Sequence, residues 1–80
     1  MTTDLRRKLL RLFVNTEGEI VFQQVMASLA ADAMIVDRSS FSLVMGVLID
    51  DGILIKRTVI EHRRVCHYYQ MNPLQRLAAI

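Results

Sequence analysis

The chain of 80 residues has little of what several protein classes require. Its single cysteine, Cys66, allows no intrachain disulfide, and a lone thiol is typical of a reducing compartment, so we expect a cytoplasmic protein. No apolar segment reaches the roughly 20 residues that cross a bilayer, because Asp50, Asp51 and Gly52 interrupt the apolar stretches around them. Arg11 breaks the first apolar run, so we expect no signal peptide. These absences predict a soluble protein without a membrane partner.

The sequence also lacks the residues of an enzyme or a metal site. The three glycines are scattered, so no glycine-rich loop can hold a phosphate group. His62, Cys66 and His67 are close in sequence, but Cys66 and His67 point to opposite faces of a strand and do not converge on one ion. A tetrahedral site would need more Cys or His than the chain contains. We therefore predict no catalytic residues, no metal, no cofactor and no enzymatic activity.

Apolar residues, by contrast, are abundant. They form 52% of the chain, the mean hydropathy is +0.30, and the net charge is +2 with a pI near 9.1. An 80-residue chain is a single domain that buries only about 60% of its unfolded surface. The apolar excess either enriches the core or covers a partner or a second subunit. The small positive charge permits binding to nucleic acid without requiring it.

Hydrophobic periodicity and turn residues predict the order of elements within one domain, residues 1–80. Asp37 can cap a helix that Gly52 ends in the left-handed conformation, whereas no cap or glycine marks the end of the preceding helix. Two β-prone runs around Glu61–Arg64 predict a hairpin, and Asn72 with Pro73 can start a last helix. The predicted elements are a helix at 3–14, a short strand at 19–21, helices at 22–34 and 38–50, a hairpin at 53–71, and a helix at 73–80.

The segment Asp37–Arg57 resembles a known DNA-binding module. Asp37 is followed by small hydroxyl residues, and the sequence Asp-Asp-Gly-Ile-Leu at 50–54 ends the helix before the hairpin. This pattern is similar to winged helix-turn-helix regulators of the multiple-antibiotic-resistance-repressor group. The resemblance implies an α+β fold, in which a three-helix core carries a two- to three-stranded antiparallel wing and a short C-terminal helix. It also implies a non-enzymatic transcriptional regulator with sequence-specific or semi-specific binding to double-stranded DNA. We expect a homodimer, because one small module contacts too little DNA for high specificity.

Within that resemblance, helix 38–50 is expected in the major groove and the hairpin tip, residues 61–64, on the backbone or in the minor groove. The candidate DNA-binding residues are Arg38, Ser39, Ser40, Ser42, Lys56, Arg57, Arg63 and Arg64. Each group has another interpretation. Serines are common at helix starts, arginines are common in solvated turns, and Lys56 and Arg57 can guard an exposed strand against pairing.

The outward face of helix 38–50 favours an alternative function. Leu43, Gly46 and Val47 form a small apolar patch there, without positive charge beyond the first turn. This patch would suit a protein-interaction module that docks a partner closely. Further candidate contacts between subunits are Leu74, Leu77 and Ile80 of the last helix, which can equally pack on their own domain. One continuous positive face would favour DNA, whereas acidic Asp50 and Glu61 around the apolar patch would favour a protein.

Overall fold

The computed structural model describes residues 2–78, and the side chains of residues 4–75. The helices are α1 (Thr2–Val14), α2 (Phe22–Ala31), α3 (Arg38–Asp50) and α4 (Pro73–Ala78), and the strands are β1 (Ile20–Val21), β2 (Leu54–Glu61) and β3 (Arg64–Met71). The strands form one antiparallel sheet in the order β1-β3-β2. Within residues 2–78, the predicted α+β class with an antiparallel sheet is confirmed.

The core lies between the helices and one face of the sheet. Leu5, Leu9 and Phe13, which follow one another at helical spacing, form the buried face of α1. The buried face of α3 consists of Phe41, Val44, Met45 and Leu48. The other buried hydrophobic residues of the core are Ile20, Val25, Leu29, Leu54, Tyr69 and Met71. Burying one large apolar side chain contributes about 1.5–3 kcal/mol, so α1, α3 and the sheet stabilise one another.

Helix α2 is shorter than predicted, because it ends at Ala31 instead of residue 34. Ala33 takes a left-handed φ of 58°, and its N–H donates to the Ala30 carbonyl. The Met34 N–H donates to the Leu29 carbonyl at 3.0 Å. This pair of bonds is a Schellman ending, which usually has glycine at the left-handed position. The prediction was wrong because alanine gives no sign of such an ending.

The start and end of α3 agree with the prediction. The Ser40 N–H donates to the Asp37 carboxylate at 3.1 Å, which confirms the N-cap. Gly52 has a φ of 75°, and its N–H donates to the Ile49 carbonyl at 3.0 Å. The Ile53 N–H donates to the Leu48 carbonyl at 2.9 Å, so this end is also a Schellman motif. Gly52 thus leads α3 directly into β2.

Asn72, the residue after β3, bonds the end of the hairpin to the connection between α3 and β2. Its Nδ2 donates to the Gly52 carbonyl at 2.9 Å, and its Oδ1 accepts from the Leu74 N–H at 3.0 Å. The second bond confirms Asn72 as the cap of α4, with Pro73 as the first helical residue. The described part of α4 ends at Ala78, so Ile80 and the side chain of Leu77 lie outside the described residues. The predicted end of this helix at residue 80 therefore stays a prediction.

The hairpin turn is tighter than predicted. Only His62 and Arg63 separate the strands, and both have positive φ values of 50° and 65°. Two consecutive left-handed residues form a type I′ turn, whose twist matches that of the strands. Glu61 and Arg64 are paired across the last rung of the ladder. Arg64 therefore lies in β3, and only Arg63 of the two predicted tip arginines is in the turn itself.

Candidate nucleic-acid interface

A groove separates α3 from the hairpin, and we call it the α3–hairpin groove. Its volume is about 450 Å³, and it is lined by Phe22, Arg38, Phe41, Ser42, Met45, Gly46, Ile49, Lys56, Val65, His67 and Tyr69. The rings of Phe22 and Phe41 meet edge to face in it, with centroids 5.4 Å apart. None of these lining residues, all within the described part of the chain, is acidic. The groove thus combines an apolar floor with a positive rim.

Two predicted DNA-binding cations line this groove from opposite walls. Arg38 is the first residue of α3, and Lys56 lies on β2 directly opposite the buried Tyr69. Opposed residues of an antiparallel pair share a sheet face, so Lys56 extends past Tyr69 into the groove. Both side chains are exposed, and no described acidic side chain forms an ion pair with either. Their charges are available to an anionic ligand.

Arg57 lies on the opposite face of the sheet, although it is the next residue after Lys56. Its Nε and Nη2 donate to the Glu19 carboxylate at 2.9 Å each, and its guanidinium lies 4.7 Å from the ring centre of Tyr68. The Tyr68 hydroxyl donates to the Glu61 carboxylate at 3.1 Å. The two candidate DNA-binding residues Lys56 and Arg57 therefore do not share one face, because successive residues of a strand point to opposite sides of the sheet.

On this second face of the sheet, the charged side chains are paired with partners that shift their pKa values. The hydrogen bond from Arg57 is the largest cause that holds the pKa of Glu19 below its ordinary value, against a smaller opposing effect of desolvation. The same pair raises the pKa of Arg57. The hydrogen bond to Glu61 raises the pKa of Tyr68, with desolvation as a smaller cause. Because its guanidinium is already satisfied by a carboxylate, Arg57 offers little to a phosphate.

The three predicted serines point in different directions. Ser42 lines the α3–hairpin groove, whereas Ser39 is exposed at the first turn of α3. Ser40 is half-buried and lines a separate hollow of about 220 Å³ together with Leu5 of α1. The hydrogen bonds from Ser40 hold the pKa of the Asp37 carboxyl below its ordinary value. This carboxylate occupies the start of α3 and competes with any phosphate there.

The tip of the hairpin carries positive charge on strained backbone. Arg63 is exposed in the turn, and neither it nor His62 is a residue that adopts positive φ readily. Arg64 is exposed beside Glu61, its partner in the ladder. Arg63 is thus an exposed cation of the turn itself, whereas Arg64 shares its rung of the ladder with an acid.

The outer face of α3 is exposed and apolar, as the sequence predicts. We use this name for Ser39, Leu43, Gly46, Val47 and Asp50, which follow one another at helical spacing. Leu43 is 63% exposed and Val47 is 42% exposed. This face adjoins the α3–hairpin groove at Gly46, which belongs to both. Asp50 is exposed at its C-terminal end.

Sequence reasoning missed several members of these surfaces. His67 and Val65 line the groove with Lys56, and the His67 Nδ1 lies 3.1 Å from the Thr58 hydroxyl. Strand alternation, counted from the buried Tyr69, would have put His67 on this face. No such signal was available for Glu19, because its partner Arg57 is 38 residues away in sequence.

The described residues present no group of three or more His, Cys, Asp or Glu side chains that could hold a metal ion. Cys66 and His67 lie on opposite faces of the sheet, since their partners in β2 are Val59 and Thr58. In residues 2–78 no helix has both the length and the apolar character needed to cross a membrane. Comparison of the chain with protein-family models, curated proteins and solved structures found no match.

Proposed function

We propose that this protein is a winged helix-turn-helix regulator that binds double-stranded DNA as a homodimer. The order of helices and strands, with α3 leading directly into a hairpin, is compatible with that fold. The observation that carries the proposal is the α3–hairpin groove, with Arg38 and Lys56 on facing walls and no acidic lining residue. A duplex seated across α3 and the hairpin would bring phosphates to these cations and to Arg63 at the tip.

The size of the electrostatic contribution follows from the number of phosphates contacted. If Arg38, Lys56 and Arg63 each neutralise one phosphate, log K falls against log salt with a slope of about −2.7 per protomer. Affinity then drops roughly 40-fold for each protomer between about 50 and 200 mM salt. Two protomers would double the slope, and pairing of protomers is favoured because one small module contacts little DNA.

The test is an anisotropy titration of a labelled duplex of about 20 base pairs at these two salt concentrations. Lys56→Gln should weaken binding and reduce the steepness of the slope by about 1 per protomer. Arg57→Gln is the matched control, because it removes the same charge one residue away on the other sheet face. It should leave both affinity and slope close to those of the wild type. Equal effects of the two variants, or no salt-sensitive complex, would contradict the proposal.

A second candidate function is docking of a partner protein through the outer face of α3. The exposure of Leu43 and Val47 favours it, because both are large apolar side chains in contact with water. Leu43→Asp should then abolish an association that sedimentation detects, while circular dichroism shows an intact fold. Unchanged association in this variant would remove the docking function. The exposed Leu74 of α4 stays a candidate dimer contact that Leu74→Asp tests in the same way.

A further inference from the structure

Gly46 is not required by the fold of the free protein. A Cβ built at this position meets no atom within 4 Å, and its φ is not in the left-handed region. Glycine in the middle of a helix is less favourable than alanine. Neither the packing nor the backbone conformation of the chain itself compensates for this cost. A ligand that approaches α3 closely, by contrast, would require that position 46 has no side chain.

The neighbours of Gly46 indicate what kind of ligand this is. Leu43 and Val47 stand one turn apart on the outer face of α3 and expose apolar surface. Arg38 and Lys56 line the groove that begins on the other side of Gly46. An apolar strip beside two unpaired cations complements the edge of a DNA major groove, where thymine methyl groups lie between phosphate backbones.

The same face contains few groups that read bases by hydrogen bonds. Its polar members are Ser39 and Asp50, and the adjoining groove wall of α3 adds Arg38 and Ser42. Of these four residues, only Arg38 has the long side chain that bonds a base in two places. Asp50 would repel phosphates at the end of the helix. Contact is therefore confined to the part of α3 before Asp50, which includes Leu43 and Val47.

We infer that Leu43 and Val47 pack against thymine C5-methyl groups while Gly46 lets the helix backbone approach the bases. The inference rests on the proposed DNA binding and names the DNA it selects, a site recognised through thymine methyl groups. Burial of one methyl-sized group is worth about a fourfold change in affinity. For each protomer, one such contact would give roughly fourfold discrimination and two would give roughly 16-fold discrimination.

The test compares two duplexes of one A·T-rich sequence, identical except that deoxyuridine replaces thymidine in the second. This exchange removes only the C5-methyl groups and keeps the base pairing. Wild type should bind the thymidine duplex several-fold more tightly. The double variant Leu43→Ala with Val47→Ala should bind both duplexes equally. Ile35→Ala is the matched control, because it truncates an exposed aliphatic side chain between α2 and α3 and should keep the wild-type ratio.

Gly46→Ala provides an independent readout. It should raise the midpoint of thermal unfolding by roughly 2–8 °C and still weaken binding to the thymidine duplex. Unchanged affinity in this variant would overturn the close approach.

The outcomes separate the inference from the proposed function. Equal affinity of wild type for both duplexes, with the salt slope still sensitive to Lys56→Gln, overturns the thymine contact and keeps DNA binding. No salt-sensitive complex with either duplex overturns both. A fall in solution mass on truncation of Leu43 and Val47 would mean that a second copy of the chain covers this face, and it also overturns the inference.

Discussion

Gly52→Ala and Ala33→Gly form a pair of opposite tests of the backbone at two helix ends. Both residues occupy the left-handed position of a Schellman motif, with φ values of 75° and 58°. A built Cβ at Gly52 meets nothing within 4 Å, so alanine there brings backbone strain without a steric clash. The left-handed conformation costs a residue with a Cβ about 1–2 kcal/mol.

The unfolded chain opposes part of this effect. Alanine restricts the unfolded backbone more than glycine, which is worth about 0.4–1 kcal/mol in the other direction. The difference leaves Gly52→Ala less stable by about 1 kcal/mol and Ala33→Gly more stable by about the same amount. For a domain of this size, 1 kcal/mol moves the thermal midpoint by about 4–8 °C.

The assay is urea unfolding followed by circular dichroism, with thermal melts of the same samples. Gly46→Ala is the control, because it makes the same exchange as Gly52→Ala where φ is not left-handed and should stabilise the protein by about 1 kcal/mol. If Gly52→Ala and Gly46→Ala shift stability in the same direction, the left-handed strain at Gly52 does not govern its effect. A loss of stability in Ala33→Gly would contradict backbone strain at the left-handed end of α2.

Three further predictions concern the turn, the core and the response to acid. Replacing His62-Arg63 by Asn-Gly, the favoured type I′ pair, should stabilise the protein by about 1–2 kcal/mol in urea unfolding. The same exchange should weaken duplex binding, because it removes the charge of Arg63. A loss of stability would contradict the turn assignment. Leu48→Ala, at a position with no exposed surface, should cost about 2–5 kcal/mol in the same assay, and a cost below about 1 kcal/mol would show a loosely packed site. Because the pKa of Asp37 is lowered on folding, its ionised form stabilises the protein above its ordinary pKa, and this contribution is lost as pH falls through the lower folded-state value. Thermal melts should therefore show a smaller acid loss in Asp37→Asn, which keeps the cap, and an unchanged loss would contradict the role of this carboxylate.

A substitution that stabilises the free protein and also weakens DNA binding would support a binding role for the residue that it replaces. Gly46→Ala and the Asn-Gly turn are both expected to stabilise the free protein and to weaken its complex with DNA. Residues that cost stability yet serve contact are typical of binding surfaces. Comparison of Lys56→Gln with Arg57→Gln separates an effect on DNA binding from an effect on stability, because only Lys56 lines the α3–hairpin groove.

The features that depend on neighbours a few residues apart could be predicted from the amino-acid sequence. Asp37 caps α3 through the Ser40 N–H, Gly52 ends α3, and Asn72 with Pro73 starts α4. These signals are readable because each side chain or φ angle acts within one turn of chain. Periodicity likewise predicted that Leu43 is exposed on the outer face of α3.

Which of the predicted residues share a surface depends on the packing of distant segments in the folded protein. Arg38 and Lys56 come together because the hairpin folds back beside α3, and Arg57 turns away to Glu19 across 38 residues of sequence. The end of α2 was equally unreadable, because Ala33 adopts the left-handed φ without the glycine that usually signals it. Local rules govern caps and turns, whereas the choice of sheet face and of ion-pair partner depends on packing between distant segments, which no short stretch of sequence encodes.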